Sequence, residues 1–251
     1  YARLSEAVEP ELNQGKAVQW LETLEQEHDN LRSAIEWSLE NQPENALRIV
    51  GAIHYFWLRR GYLSEGSKWT KQALEKNGER ADPKLRASAY FGIGLFTRRQ
   101  GDSEAAELCL QESLRLARET GNKRLISTSL VSLALVKMDQ GDPTQGKAAA
   151  EESLTIAREL NDRRISSLAL NSLGEIVRTQ KDYEAARRFY EEALTIAKDE
   201  SAKYLIPTYI INLAAVACLL EDYRTARLYS LEYLKLSEEL EDKIRIGHAL
   251  N

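Results

Sequence analysis

Residues able to do chemistry are few in this sequence, and their spacing assembles no working centre. Gly61, Gly66, Ser67 and Lys68 approach the pattern of a phosphate-binding loop, where backbone amides and a lysine converge on phosphates after a strand. Here the lysine comes one position late and the surrounding pattern is helical, so no nucleotide is expected there. His28, His54 and His248 have no ligand spacing to one another or to Cys109 and Cys218. With no metal cluster and no Ser-His-Asp grouping to propose, neither catalysis nor a cofactor is expected of this stretch. His54 falls among close-packing positions and reads as a satisfied buried imidazole. The two cysteines read as buried free thiols of a reducing compartment. Paired arginines at 59–60, 98–99, 163–164 and 187–188 suggest a basic patch. Neighbours on a helix diverge by about 100°, so these pairs read instead as solvated faces.

Bulk properties narrow the classes further. A net charge of −5 and a pI near 5.5 argue against direct nucleic-acid binding, which needs a basic footprint. No apolar run approaches the ~20 residues that span a bilayer, and the start carries no signal-peptide core. A cytoplasmic protein is expected. The sequence opens on Tyr1 and ends at Asn251 inside a pattern described below, so it reads as a piece of a longer protein.

The elements that must position any site come from a repeat. Glu151 to Ala157 (EESLTIA) returns forty residues later as Glu191 to Ala197 (EEALTIA). Periods of this size mark stacked-repeat architectures. One rung of the ladder is Ile53, Ile93, Leu133, Leu173 and Leu213, followed by the mostly small His54, Gly94, Ala134, Gly174 and Ala214. A turn rung comes next, Gly61, Gly101, Gly141, Lys181 and Glu221, with Asp102, Asp142, Asp182 and Asp222 behind it. Gly66, Ala106, Gly146, Ala186 and Ala226 form a second small rung, and Leu74, Leu114, Leu154, Leu194 and Leu234 close each unit.

Within a unit the spacing is helical: Ala106, Leu110, Ser113, Leu114 and Ala117 share one face. Each unit therefore reads as helix A, a short turn and helix B, with small residues letting the backbones approach. Pro43, Pro83, Pro143 and Pro207 stand at expected helix starts, where a missing N–H costs nothing. The expected fold is all-α, five hairpins stacked in a right-handed superhelix, at about 43–82, 83–122, 123–162, 163–202 and 203–242. Ile244 to Asn251 would begin a sixth. Residues 1–42 form a helical cap or linker. In it Pro10 starts a helix, Trp20 and Trp37 add apolar faces, and a break near His28 is capped by Asp29-Asn30.

These rungs resemble the tetratricopeptide repeat. The fourth unit supplies Leu170, Leu173-Gly174, Ala186, Tyr190 and Ala193; the second supplies Tyr90, Ile93-Gly94, Gly101, Ala106 and Leu110. The closing proline is missing and each unit is longer than usual, as in MalT-like regulators. Trp20 to Trp37, and Phe56 to Gly66 with Trp69, resemble the segment leading into the repeats of bacterial STAND-type regulatory ATPases. The resemblance implies that helix A lines a concave groove. Its groove rows would hold Tyr55 and Arg59, Phe91, Leu95 and Arg98, Val131 and Leu135, Asn171, Glu175 and Arg178, and Ile211 and Ala215. The carboxylate clamp of chaperone-binding members is not reproduced, since Phe91, Val131 and Ile211 occupy its polar positions. An apolar groove with scattered arginines suits a protein or peptide partner. The implied function is a non-catalytic sensor domain of a bacterial signalling or transcription regulator, coupled to a neighbouring NTPase or DNA-binding domain of the same chain. The alternative is an adaptor scaffold for complex assembly.

Overall fold

The computed structural model describes residues 1–13, 17–200, 202 and 204–239, and the regular structure among them is all helical. The expected sixth helix A, Ile244 to Asn251, and His248 with it, lie outside the described residues. The chain divides into two compact units, residues 1–140 and 141–251.

The first unit holds α1 (Ala2–Val8), α2 (Ala17–Gln26), α3 (His28–Asn41), α4 (Pro43–Arg60), α5 (Leu63–Asn77), α6 (Pro83–Arg99), α7 (Ser103–Glu119) and α8 (Lys123–Asp139). Its core gathers Val8, Leu24, Ile35, Ile53, Trp57 and Phe96, all at most 1% exposed, so the leading helices and the first hairpin share one apolar interior. Three expectations for the leading segment are corrected. Pro10 does not start a helix but separates α1 from a 3-10 turn at Glu11–Asn13. The break falls at Glu27, whose side chain makes no capping bond, and Asp29 and Asn30 lie inside the first turn of α3. Trp37 is 56% exposed, because it lies about 200° around the helix from the buried Ile35.

Glu65 ties α3 to α5. It accepts from Arg32 Nε at 2.8 Å, from Arg32 Nη2 at 2.7 Å and from His28 Nε2 at 3.0 Å. Burial pushes its pKa up, but Arg32 and His28 outweigh burial and hold it below the usual 4.5. A depressed carboxylate pKa contributes stability above the unfolded-state value and loses it as pH falls through the folded one. The stability advantage of wild type over Glu65→Gln should therefore shrink as the pH falls below 4.5 in urea titrations. An advantage that grows on acidification would contradict this.

The second unit holds α9 (Pro143–Glu159), α10 (Arg163–Thr179), α11 (Tyr183–Asp199), α12 (Ile206–Leu219) and α13 (Tyr223–Glu239). Consecutive helices pack as antiparallel hairpins, α10 against α11 and α12 against α13, with Leu173, Ile176, Tyr190, Ala193 and Leu213 buried. The four prolines stand in first helical turns.

The turn rung explains how each helix A stops and each helix B starts. All five residues are left-handed: Gly61 φ 81°, Gly101 87°, Gly141 81°, Lys181 65° and Glu221 62°. Behind them the carboxylates of Asp102, Asp142, Asp182 and Asp222 accept from the backbone N–H groups of Ala105, Gln145, Ala185 and Thr225. Each satisfies an orphan donor of helix B. A Cβ in the left-handed region costs about 1–2 kcal/mol, which the two non-glycine turns bear. Lys181→Gly and Glu221→Gly should each stabilise the chain by about 1 kcal/mol, read as a rise in thermal midpoint, and Gly101→Ala should do the reverse. A fall in the midpoint for Lys181→Gly would contradict this account of the turn.

Candidate functional site

The expected groove residues divide by unit and by accessibility. In the first unit Phe91 and Val131 are buried at 3% and 8%, packed between helices rather than presented. Tyr55, Leu95 and Leu135 are half-buried. Tyr55 stacks edge-on with Phe91 at 6.5 Å and tilts against His54 at 4.3 Å, and the Arg59 guanidinium lies 5.9 Å from its ring centre. Arg59 is one position out of register with Arg98; Leu58 holds that row. Arg98 is committed, donating from Nε to Asp139 Oδ2 at 2.8 Å. Here the groove rows form an apolar, aromatic surface whose arginines are already engaged. The histidines have structural partners: His28 meets Glu65, and His54 Nδ1 donates to the Gly51 carbonyl at 2.6 Å.

The corresponding positions on α10 of the second unit are polar. Asn171 takes the position held by Gly51, Phe91, Val131 and Ile211, and it is 7% exposed. Burying an amide is costly unless it is hydrogen-bonded. Asn171 Nδ2 donates to Glu175 Oε1 at 2.7 Å, and Asn212 Nδ2 donates to Asn171 Oδ1 at 2.8 Å, joining α12 to α10. Behind this pair Ser167 Oγ meets the buried Tyr209 hydroxyl at 3.1 Å. Ile211 is half-buried and Ala215 exposed beside them.

Arg178, one turn beyond Glu175, is half-buried. It lies beside Tyr190, which comes from α11 and is fully buried. Gly174 lets that ring through: a Cβ there would stand 2.5 Å from Tyr190 Cε1. Burial pushes the Tyr190 hydroxyl well above its usual range, Glu175 adds to this and Arg178 opposes it, so the group stays a donor.

Sequence reasoning selected Asn171, Glu175 and Arg178 and assigned Tyr190 to packing; it passed over Asn212, Ser167 and Tyr209. Two signals were present. Asn212 interrupts a row of Ala52, Gly92, Ser132 and Ser172, and Tyr209 interrupts Ala89, Ser129 and Ala169. The cysteine expectation is corrected too. Cys218 is exposed, because it follows Arg98 and Arg178 in the partly open third groove row, and Cys109 is only half-buried. Among the described residues no His, Cys, Asp or Glu cluster could hold a metal ion, and no helix is long and apolar enough to cross a membrane.

The chain contains tetratricopeptide repeats: family profiles of that repeat match residues 87–120 and 125–199. No curated protein matches the sequence. Among solved structures it is similar to a Rap protein complexed with Competence and Sporulation Factor. The TM-score is 0.79 at 14% identity, over 88% of this chain and 62% of that one. NprR in complex with its cognate peptide NprX gives a TM-score of 0.77 at 15% identity, over 99% of this chain and 71% of that one. The STAND protein PH0952 from Pyrococcus horikoshii, which has a tetratricopeptide repeat sensor, gives 0.67 at 18% identity, over 99% and 38%. At these identities the likeness establishes the fold, all-α and tetratricopeptide-like.

Proposed function

We propose that this chain is a non-catalytic interaction domain that takes an extended peptide along the groove rows of its second unit. The observation that carries this reading is the Asn212–Asn171–Glu175 relay in rows that are apolar in the first unit. A carboxamide presents the same donor and acceptor as a peptide group. The relay uses one N–H of each asparagine, which by count leaves each amide a further donor and Asn212 its carbonyl. Asn212, half-buried and held by the buried Asn171, can meet a ligand's backbone with little further loss of freedom. The neighbouring half-exposed Ile211 and exposed Ala215 supply an apolar floor.

The fold's likeness to Rap and NprR, each solved with a bound factor or peptide, agrees with this reading. So does the likeness to a STAND protein with a repeat sensor, and the leading sequence resembles that family. In such a longer protein, binding would shift the contacts of a neighbouring nucleotide-hydrolysing domain.

The test is affinity selection of short random peptides on the chain, followed by titration calorimetry of a selected peptide. Asn171→Ala and Asn212→Ala should each weaken binding by roughly tenfold, the worth of one lost hydrogen bond. Phe91→Ala in the first unit should leave the affinity unchanged. Equal affinity for wild type and both asparagine variants would remove the second unit as the binding face.

A further inference from the structure

Isolated leucines on a protein surface are ordinary, so exposed apolar side chains matter only where neighbours and charges combine. They combine on the outer face of α13. Leu228 and Leu231, one helical turn apart, are 61% and 54% exposed. Arg224 and Arg227 precede them and Lys235 follows one turn on, all exposed. The one acid within this stretch, Glu232, is held by α11, where Lys198 Nζ donates to its Oε1 at 3.3 Å.

A following repeat would leave this face open. The equivalents of Leu231 are Lys71, Gln111, Glu151 and Glu191, all exposed although a further hairpin follows each of their helices. The position of Leu228 is likewise exposed in every copy, and only α7 repeats its leucine, beside Gln111 and Glu104. Of the five helices, α13 alone has leucine at both positions. It alone has arginine at the position of Arg224, where the others carry serine, threonine or glutamate.

We propose that the outer face of α13 docks an amphipathic helix of a partner protein, one whose apolar seam is rimmed by Asp and Glu. Two helices bury a shared seam when their side chains interdigitate, and charges along its rim select the partner. Three basic side chains around two leucines attract an acidic rim and repel a basic one. The chain's net charge of −5 works against an anionic membrane as the occupant. The surface belongs to helix B, whereas the groove rows belong to helix A, so this docking does not depend on the peptide-binding function.

The test is titration calorimetry of the intact chain with three N-acetylated, C-amidated helical peptides of about 18 residues, about 27 Å long. One carries a leucine seam rimmed by glutamate, and one the same seam rimmed by lysine. The third keeps the glutamate rim with its leucines replaced by glutamine. Wild type should bind the first roughly tenfold to a hundredfold more tightly than either of the others. Leu228→Asp with Leu231→Asp should abolish binding, with the circular dichroism spectrum unchanged. Arg224→Glu with Arg227→Glu should shift the preference toward the lysine-rimmed peptide. Asn171→Ala and Asn212→Ala, on helix A, should leave the affinity unchanged. Equal affinity for the glutamate- and lysine-rimmed peptides, binding that survives the paired aspartates, or no binding would overturn the proposal. So would either of two other occupants, each shown by a signal that the paired aspartates remove. Concentration-dependent dimers in sedimentation velocity would make it a second copy, and capture on phosphatidylserine vesicles would make it a membrane.

Discussion

Where Tyr190 crosses Gly174, no room remains for even a methyl group: three ring carbons lie within 2.9 Å of where a Cβ would stand. The same holds at Gly94, where a Cβ would be 2.6 Å from Leu110 Cγ. These contacts set how closely helix A and helix B approach within a hairpin. A glycine in a helix interior costs about 1 kcal/mol against alanine, so its presence there reflects what it admits. Once the two helices are this close, the rungs around the glycine have nowhere else to pack. Leu173, Ala186, Ala193 and Leu194 are buried, and the turn is made by the left-handed Lys181 with Asp182 capping the next helix.

The same gap bears on the chemistry of the groove. A residue from helix B reaches past the small rung toward the groove rows, so its identity alters a surface that helix A nominally builds. Leucine at 110 leaves that surface apolar, and tyrosine at 190 brings a hydroxyl beside Arg178. Packing and the polarity of the groove rows are therefore joined at one position. The two units share a fold while the half-buried Tyr55 and Leu95 of one are apolar and the half-buried Glu175 and Arg178 of the other are polar.

The fold was legible because its signals are local and repeated. The period, the small rungs, the turn residues and the prolines each mark a backbone requirement that one residue type satisfies. The leading helices carry no repeat; the break near His28 was legible there, but the exposure of Trp37 and the capping role given to Asp29-Asn30 were misjudged. The site was legible only in part. Asn171, Glu175 and Arg178 stood out because they differ from their counterparts in rows the resemblance pointed to. Asn212 acts through a neighbour forty-one residues away, and Tyr190 matched a packing consensus that hid its hydroxyl. Commitment of a side chain is a pairwise property. Arg98 and Arg178 hold the same position, yet Asp139 occupies one and no ion pair among the described residues holds the other.

The closest test of the glycine gap is the sign of one substitution in two backgrounds. Helix propensity alone makes Gly174→Ala stabilising by about 1 kcal/mol, whereas the contact with Tyr190 makes it destabilising by about 1–3 kcal/mol. In urea unfolding, Gly174→Ala should lower stability in the wild-type chain and should be neutral or stabilising when Tyr190→Ala is already present. The same effect in both backgrounds would contradict the claim that the tyrosine ring is why this position is glycine.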